Sequence, residues 1–424
     1  MVSGGAAQQW KCSSLRAPMS GGTTDQSSSE TRSHLDEAWL RDLVETLSSI
    51  HRPTASVGER RAAEWLLAKL RDTGASGEIE LHRAHGTFWW PLGLAAAGAL
   101  GAGVLALRGR RILAGALAAA IGAAAFDDLP PGQRRFRELL PQRTATTVVA
   151  EMGPPDAERT VVLVAHHDAA HPGLVYHPAI PELVFGQAPW LINRVDTSPP
   201  LLAPVVVIPA LIGAGTATGN DSLVKAGMAL AVVSGAALAD IGRRETVPGA
   251  NDNATGVAVL VAIARALAAA PTRNVRVMLV STSEEALCEG MQVFARRHFA
   301  ELPRESTFFL SIDTVGSPHL LVLRGEGMIR MREYPARSLA LLDGLAAELE
   351  ISLFPNLRLR NATDGIYPLA AGYECASLCS CTDLKQPANY HWPTDVPENV
   401  DSGTVADAVR LTEAVLRRLD ERWF

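Results

Sequence analysis

Five side chains suited to binding metal ions lie far apart in this chain, and only a fold that returns five segments to one edge could use them together. They are His166, Asp252, Glu285, Asp313 and His391. The first closes an apolar run, VVLVAHHDAAH, and the second lies in PGANDNATGVAVLVAIARAL, on a Gly/Asn-rich loop before a helix-forming stretch. Glu284-Glu285 follow the apolar run RVMLVSTSEE, Asp313 ends TFFLSID, and His391 stands in NYHWPTDVPENVD. A lone histidine at a strand end is usually structural, and a lone aspartate before a helix is usually an N-cap. The set in this order points to a metal centre.

Zinc takes imidazole and carboxylate ligands, and a catalytic ion keeps one position open. Two ions roughly 3.5–4 Å apart can clamp both the attacking and the developing oxygen of a hydrolysis. Such a pair needs a bridging carboxylate, and Asp252 on its tight loop is the natural bridge. His166 with Asp313 then completes one ion, and Glu285 with His391 the other. Asp168, two residues beyond His166 on an extended segment, projects to the same side and can hold the second ring N–H of that ligand. Glu284, next to a ligand but free itself, is placed to act as general base. Cobalt or manganese would also suit these donors.

The remaining pattern is α/β. Strands are expected near 78–83, 145–151, 160–165, 275–281, 307–313, 319–324 and 374–380. Helices are expected near 35–50, 56–74, 253–269, 288–299, 335–349 and 403–419. Ser56-x-x-Glu59 reads as a capping box. Several strands are continuous apolar runs, as in a sheet covered on both faces. The expectation is a three-layer sandwich around a mixed, largely parallel sheet, with ligands beyond the carboxyl ends of the strands. Residues 1–34 are rich in Ser, Thr and Gly and read as a disordered tail without a secretory signal. Residues 35–424 read as a single domain.

Two stretches interrupt this alternation, at about 88–126 and 201–240. Each has two apolar halves around a polar turn, Arg108–Arg111 in one and Gly219–Asp221 in the other. Their length approaches the ~20 residues of a membrane span, and Trp89-Trp90 suit a membrane interface. Gly98, Gly101 and Gly115 would let paired helices approach closely. We therefore expect two helical hairpins with four membrane helices, in the plasma membrane of a bacterium. The excess of arginine beside the domain favours a cytoplasmic catalytic side. A net charge of −6 leaves no broad basic surface, so nucleic acid is excluded as a partner. Cys375, Cys379 and Cys381 share one strand face and, with Cys288, are expected to pack, as are His167 and His171.

His-x-Asp at 166–168, Gly-Ala-Asn-Asp-Asn-Ala-Thr-Gly at 249–256, Glu-Glu at 284–285, Asp313, and His391 with its Asp395-x-Pro397-x-Asn399-x-Asp401 tail resemble the bacterial dizinc aminopeptidases. That metallopeptidase family also includes glutamate carboxypeptidases, glutaminyl cyclases and transferrin receptors. The resemblance implies two zinc ions on the five ligands, Glu284 as base and a peptide substrate. It places Tyr390 where some members hold an oxyanion-supporting phenol. One departure stands out. Thr363-Asp364-Gly365 looks like a family Ser-Asp-His stretch whose histidine has become glycine. The alternatives are a glutaminyl-peptide cyclase using one zinc ion, and a membrane receptor or scaffold that keeps the fold without the chemistry.

Overall fold

A computed structural model describes residues 36–187 and 189–424. The tail expected over 1–34 lies outside the described residues. Two helices come first, α1 (Glu37–Ser48) and α2 (Val57–Asp72), then β1 (Ser76–Ala84). The first hairpin is α3 (Trp89–Leu107) with α4 (Arg111–Asp128), followed by the single turn α5 (Arg135–Glu138). β2 (Arg143–Met152) and β3 (Arg159–His166) precede two short helices, α6 (Ala179–Gln187) and α7 (Pro189–Arg194). The second hairpin is α8 (Pro204–Thr218) with α9 (Asp221–Ile241). After it come α10 (Thr255–Ala269), β4 (Val275–Thr282), α11 (Glu289–His298), β5 (Thr307–Ile312) and β6 (His319–Val322). β7 (Gly325–Glu326), β8 (Arg332–Glu333), α12 (Ala336–Glu348) and β9 (Arg358–Leu359) follow. The chain ends with α13 (Ile366–Ala371), β10 (Glu374–Cys381) and α14 (Ser402–Glu421).

The main sheet has seven strands in the order β1-β2-β4-β3-β5-β10-β6. Its four central strands, β4, β3, β5 and β10, run parallel, and antiparallel strands flank them on both sides. The sheet is therefore mixed, with its parallel part confined to the centre. Helices cover both faces, which explains the unbroken burial of β3, β5 and β10. α10 lies in the core with Val257 to Ala264 all buried. A smaller sheet, β8-β7-β9, was not foreseen because its strands have two residues each.

Side-chain caps form at the starts of α1, α2, α9 and α14. Asp36 caps α1 and Asp401 caps α14 through their side chains. The capping box at Ser56 is only half formed. Ser56 Oγ accepts the N–H groups of Gly58 and Glu59 at 3.1 Å. Glu59 instead turns inward to the N–H of Ala55 and to both donors of Thr146, tying α2 to the sheet.

The two hairpins join into one four-helix bundle. Ala99, Ala102, Ala118, Ile208, Ile212 and Ala231 form its buried centre. Gly103 and Gly227 are two of the places where helices pack closely. A Cβ at Gly103 would meet Met228 Cγ at 2.4 Å, and one at Gly227 would meet Ile212 Cγ1 at 2.7 Å. Of the glycines singled out from sequence, Gly98 faces Ile121 at 3.0 Å, whereas Gly101 faces open space and Gly115 has ordinary contact. Pattern alone does not say which small residue meets a neighbour.

A candidate dimetal centre

All five ligand candidates converge at the carboxyl ends of the parallel strands. His166 ends β3 in register with Thr282 of β4, and Glu284 and Glu285 follow two and three residues later. Asp313 follows β5, and its N–H donates to Leu378 O of β10 at 3.0 Å. His391 arrives on the loop after β10.

Asp252 lies between the two histidines. His166 Nε2 is 3.1 Å from its Oδ1, and His391 Nε2 is 3.2 Å from its Oδ2. Asp313 Oδ1 stands 3.7 Å from His166 Nε2, and Glu285 Oε2 stands 3.3 Å from His391 Nε2. The carboxylate thus has one oxygen near His166 and the other near His391. Ligand atoms of His166, Glu284 and Asp313 lie within 4.8 Å of one another, as do those of His166, Asp252 and Glu285. Ligands on zinc at bonds of roughly 2.0–2.1 Å in a tetrahedron are about 3.3 Å from one another, and these separations scatter around that value. Glu285 Oε1 and His391 Nδ1 are buried and have no hydrogen-bond partner. The donor types, their spacing and the orphaned carboxylate oxygen all fit two zinc ions.

The electrostatics of the chain without metal agree. Burial, reinforced by Asp313 and Asp364, pushes the Glu284 carboxyl well above its ordinary value. Burial and then Asp252 do the same to Glu285. Burial would raise Asp252 too, but His166 and His391 outweigh it and hold that carboxyl down. The cluster is an acidic pocket that bound cations would neutralise.

The supports are specific. Asp168, fully buried, faces His166 Nδ1 at 3.1 Å, accepts Thr54 Oγ1 at 2.6 Å, and accepts the N–H groups of Glu284 and Glu285 at 2.9 and 3.1 Å. Asp395 accepts the N–H groups of Asn251 and Asp252 at 2.7 and 3.1 Å. Buried Arg52 donates to Pro248 O and Gly249 O at 2.5 and 2.6 Å, fixing the same loop from its other end. Gly249, at φ +63, takes the left-handed turn this loop requires. The sequence signalled none of these roles for Arg52, and gave Asp395 only as part of a motif tail.

Glu284 keeps its carboxylate toward the cluster, with Oε2 accepting Asp364 N–H at 3.2 Å. Asp364 in turn accepts Thr282 Oγ1. The glycine at 365 also finds its reason. A Cβ there would lie 2.5 Å from Tyr334 Oη, whose hydroxyl donates to buried Glu326 at 2.6 Å. Tyr334 and Glu326 crowd the place where a side chain at 365 would start. Tyr390 stacks on His391 with ring centroids 3.9 Å apart, and its hydroxyl accepts Asn361 Nδ2 at 3.1 Å. Tyr176, unnoticed in the sequence, meets His391 edge-on at 4.7 Å. His167 and His171 are structural, bonded to Ser281 and to Arg244 O.

A cavity with about 140 Å³ of room for water-sized molecules, open to solvent, is lined by His166, Asp252, Glu284, Glu285, Asp313, Tyr390 and His391. Its other walls are mainly apolar, among them Leu287, Leu321, Leu323, Met328, Leu357 and Leu359. Phe88, Leu201 and Leu202, where the hairpins leave the domain, complete one side. Cys288, Cys379 and Cys381 are buried and free, and they also border this cavity.

Residues 232–416 match the sequence profile of Peptidase family M28. The matched segment holds Asp252, Glu284, Glu285, Asp313 and His391, while His166 precedes it. No curated protein matches the chain by sequence. Among solved structures, the fold resembles that of glutaminyl cyclase from Tannerella forsythia, with 16% identity, TM-score 0.54, 91% of this chain and 99% of that one. A Zn-dependent exopeptidase from Parabacteroides distasonis aligns with 13% identity, TM-score 0.52, and 90% and 97% of the two chains. An aminopeptidase from Aneurinibacillus sp. strain AM-1 aligns with 13% identity, TM-score 0.53, and 91% and 94% coverage.

Proposed function

We propose that this protein is a membrane-anchored dizinc aminopeptidase. The observation that carries the reading is Asp252 between two imidazoles, one on each carboxylate oxygen. His166, Asp252 and Asp313 would hold one ion, and Asp252, Glu285 and His391 the other. When bound, the ions supply Lewis acidity to water and to the scissile carbonyl. Glu284 takes the proton of the attacking water and returns it to the leaving amine. Burial, together with nearby acids, keeps the Tyr390 phenol protonated well above its ordinary range. Because Asn361 donates to its oxygen, the Tyr390 proton is free to support the oxyanion. The apolar walls favour peptides with a large apolar N-terminal residue.

The bundle supports the membrane part of the proposal. α3 and α9 have 19 and 21 residues and a mean hydropathy of 1.7, with 39% and 17% of their most apolar windows buried. At 1.5 Å per residue they reach about the thickness of a hydrocarbon core. α8 is shorter and contains Pro209. A third apolar stretch, Ala250–Ala269, is 83% buried inside the M28 core and belongs to the soluble part. Beside the site, α6 and α7 expose Ile180, Leu183, Val184 and Trp190, which suits contact with a lipid surface.

The test is hydrolysis of a panel of aminoacyl-anilides by detergent-purified protein and by Glu284→Gln. Cleavage of leucyl- and phenylalanyl-anilide that is lost in the variant supports the reading. The likeness to the Tannerella cyclase favours one alternative, cyclisation of N-terminal glutamine. Turnover of Gln-initial peptides to pyroglutamate, without anilide cleavage, would replace the aminopeptidase reading by it.

A further inference from the structure

The loop from Ser283 to Glu289 carries Glu284 and Glu285, and both roots of the first hairpin grip it. Where the chain enters α3, the N–H groups of His85 and Gly86 donate to the Glu289 carboxylate at 3.1 and 2.9 Å. Where α4 ends, Arg137 donates to Ala286 O at 2.6 Å and forks onto Asp128 at 2.8 and 2.7 Å. Arg134 donates to Leu287 O. The Arg137 and Asp128 side chains are 1% and 2% exposed. Arg137 Nη1 also lies 3.6 Å from Glu289 Oε2, so the ionic cluster joins the two roots to each other and to the loop.

The loop has a physical need for such support. Leu287 and Cys288 sit consecutively at φ +66 and +60, a region that residues with side chains rarely adopt. Strained turns of this kind persist where their surroundings over-determine them.

We infer that Arg137 is a positioning residue, holding the Ala286 carbonyl and through it the Glu284–Glu285 pair against the root of the first hairpin. Its guanidinium makes three directed bonds from one rigid plane, which a lysine ammonium does not reproduce. The hairpin root is thus part of the support of the site as well as the start of an apolar appendage. The catalytic consequence rests on Glu284 being the base and Glu285 a ligand; the grip on the loop does not.

The test uses the full chain in detergent, as wild type, as Arg137→Lys, and as the double variant Asp128→Leu with Arg137→Met. Replacing both partners of a buried ion pair by apolar residues usually preserves stability, so the double variant keeps the root packed while removing the donor. Three quantities are read: hydrogen exchange of the 283–289 amides, zinc affinity by titration, and kcat and KM on leucyl-anilide. We expect faster exchange confined to this loop in both variants. Zinc affinity and kcat should fall about 10–100-fold, as for lost supports of a metal site, with KM nearly unchanged. A folded double variant with wild-type exchange and wild-type zinc affinity overturns the inference. If the double variant does not fold, Arg137→Lys, which keeps a charge against Asp128, decides by the same readouts. If wild type binds no zinc, the metal reading fails, and the exchange measurement still decides whether the root holds the loop.

Discussion

Asp168 accepts the backbone N–H of Glu284 at 2.9 Å with the oxygen that also lies 3.1 Å from His166 Nδ1. One buried carboxylate therefore fixes the direction of His166 on β3 and the start of the Glu284–Glu285 segment after β4. Asp168→Ala should cost more than a reoriented imidazole. We expect zinc affinity to fall about 10–100-fold and kcat to fall further, because Glu284 loses its anchor too. Zinc titration and steady-state kinetics on the same preparation check both.

Asp395 does the corresponding work for the bridge, accepting the N–H groups of Asn251 and Asp252. Asp395→Ala leaves two buried N–H groups without partners, at a cost of about 1–3 kcal/mol each. Loss of bound metal should accompany the lower stability. A variant with wild-type zinc affinity would remove Asp395 from the support of the bridge.

Glu326 gives a pH dependence outside the metal cluster. Burial raises its carboxyl to about 7, against the hydrogen bonds from Tyr334 and Thr363 that lower it. The folded value exceeds the unfolded one, so the contribution to stability is complete below the ordinary carboxylate range. It is lost as pH rises through about 7. Glu326→Gln should therefore flatten the decline of the melting midpoint between pH 5 and pH 8 in metal-free protein. The gain at pH 8 should be on the order of 1–3 kcal/mol. An unchanged slope would contradict the assignment.

The bundle offers a test that separates a bilayer from water. Val233 on α9 is 66% exposed. In a water-soluble bundle, Val233→Arg would shift stability by less than about 0.5 kcal/mol. In a membrane helix, a central arginine costs about 2.5–3.5 kcal/mol on insertion scales. We expect the variant to lose membrane-integrated protein in carbonate-washed fractions, and normal accumulation would argue for a soluble bundle.

The five candidate ligands were legible because each follows its own strand or loop signal within a few residues. The α/β core was legible for the same reason, since period and composition mark β3, β5 and α10 without knowledge of their neighbours. What stayed hidden depends on contacts between distant segments. Arg52 beneath the Asp252 loop, Tyr334 beside Gly365 and Arg137 on Ala286 O join residues far apart in the chain. The half-formed capping box at Ser56 has the same origin, because the sheet competes for Glu59. The assembly of two hairpins into one bundle, close at Gly103 and Gly227, likewise follows from packing that no single helix specifies.

The most direct measurement is the zinc content of purified protein by elemental mass spectrometry, with His166→Ala and His391→Ala alongside. Two ions per chain in wild type, and lost or weakened binding in each variant, are what an Asp252-bridged centre predicts. Folded wild-type protein that takes up no zinc, cobalt or manganese would contradict it.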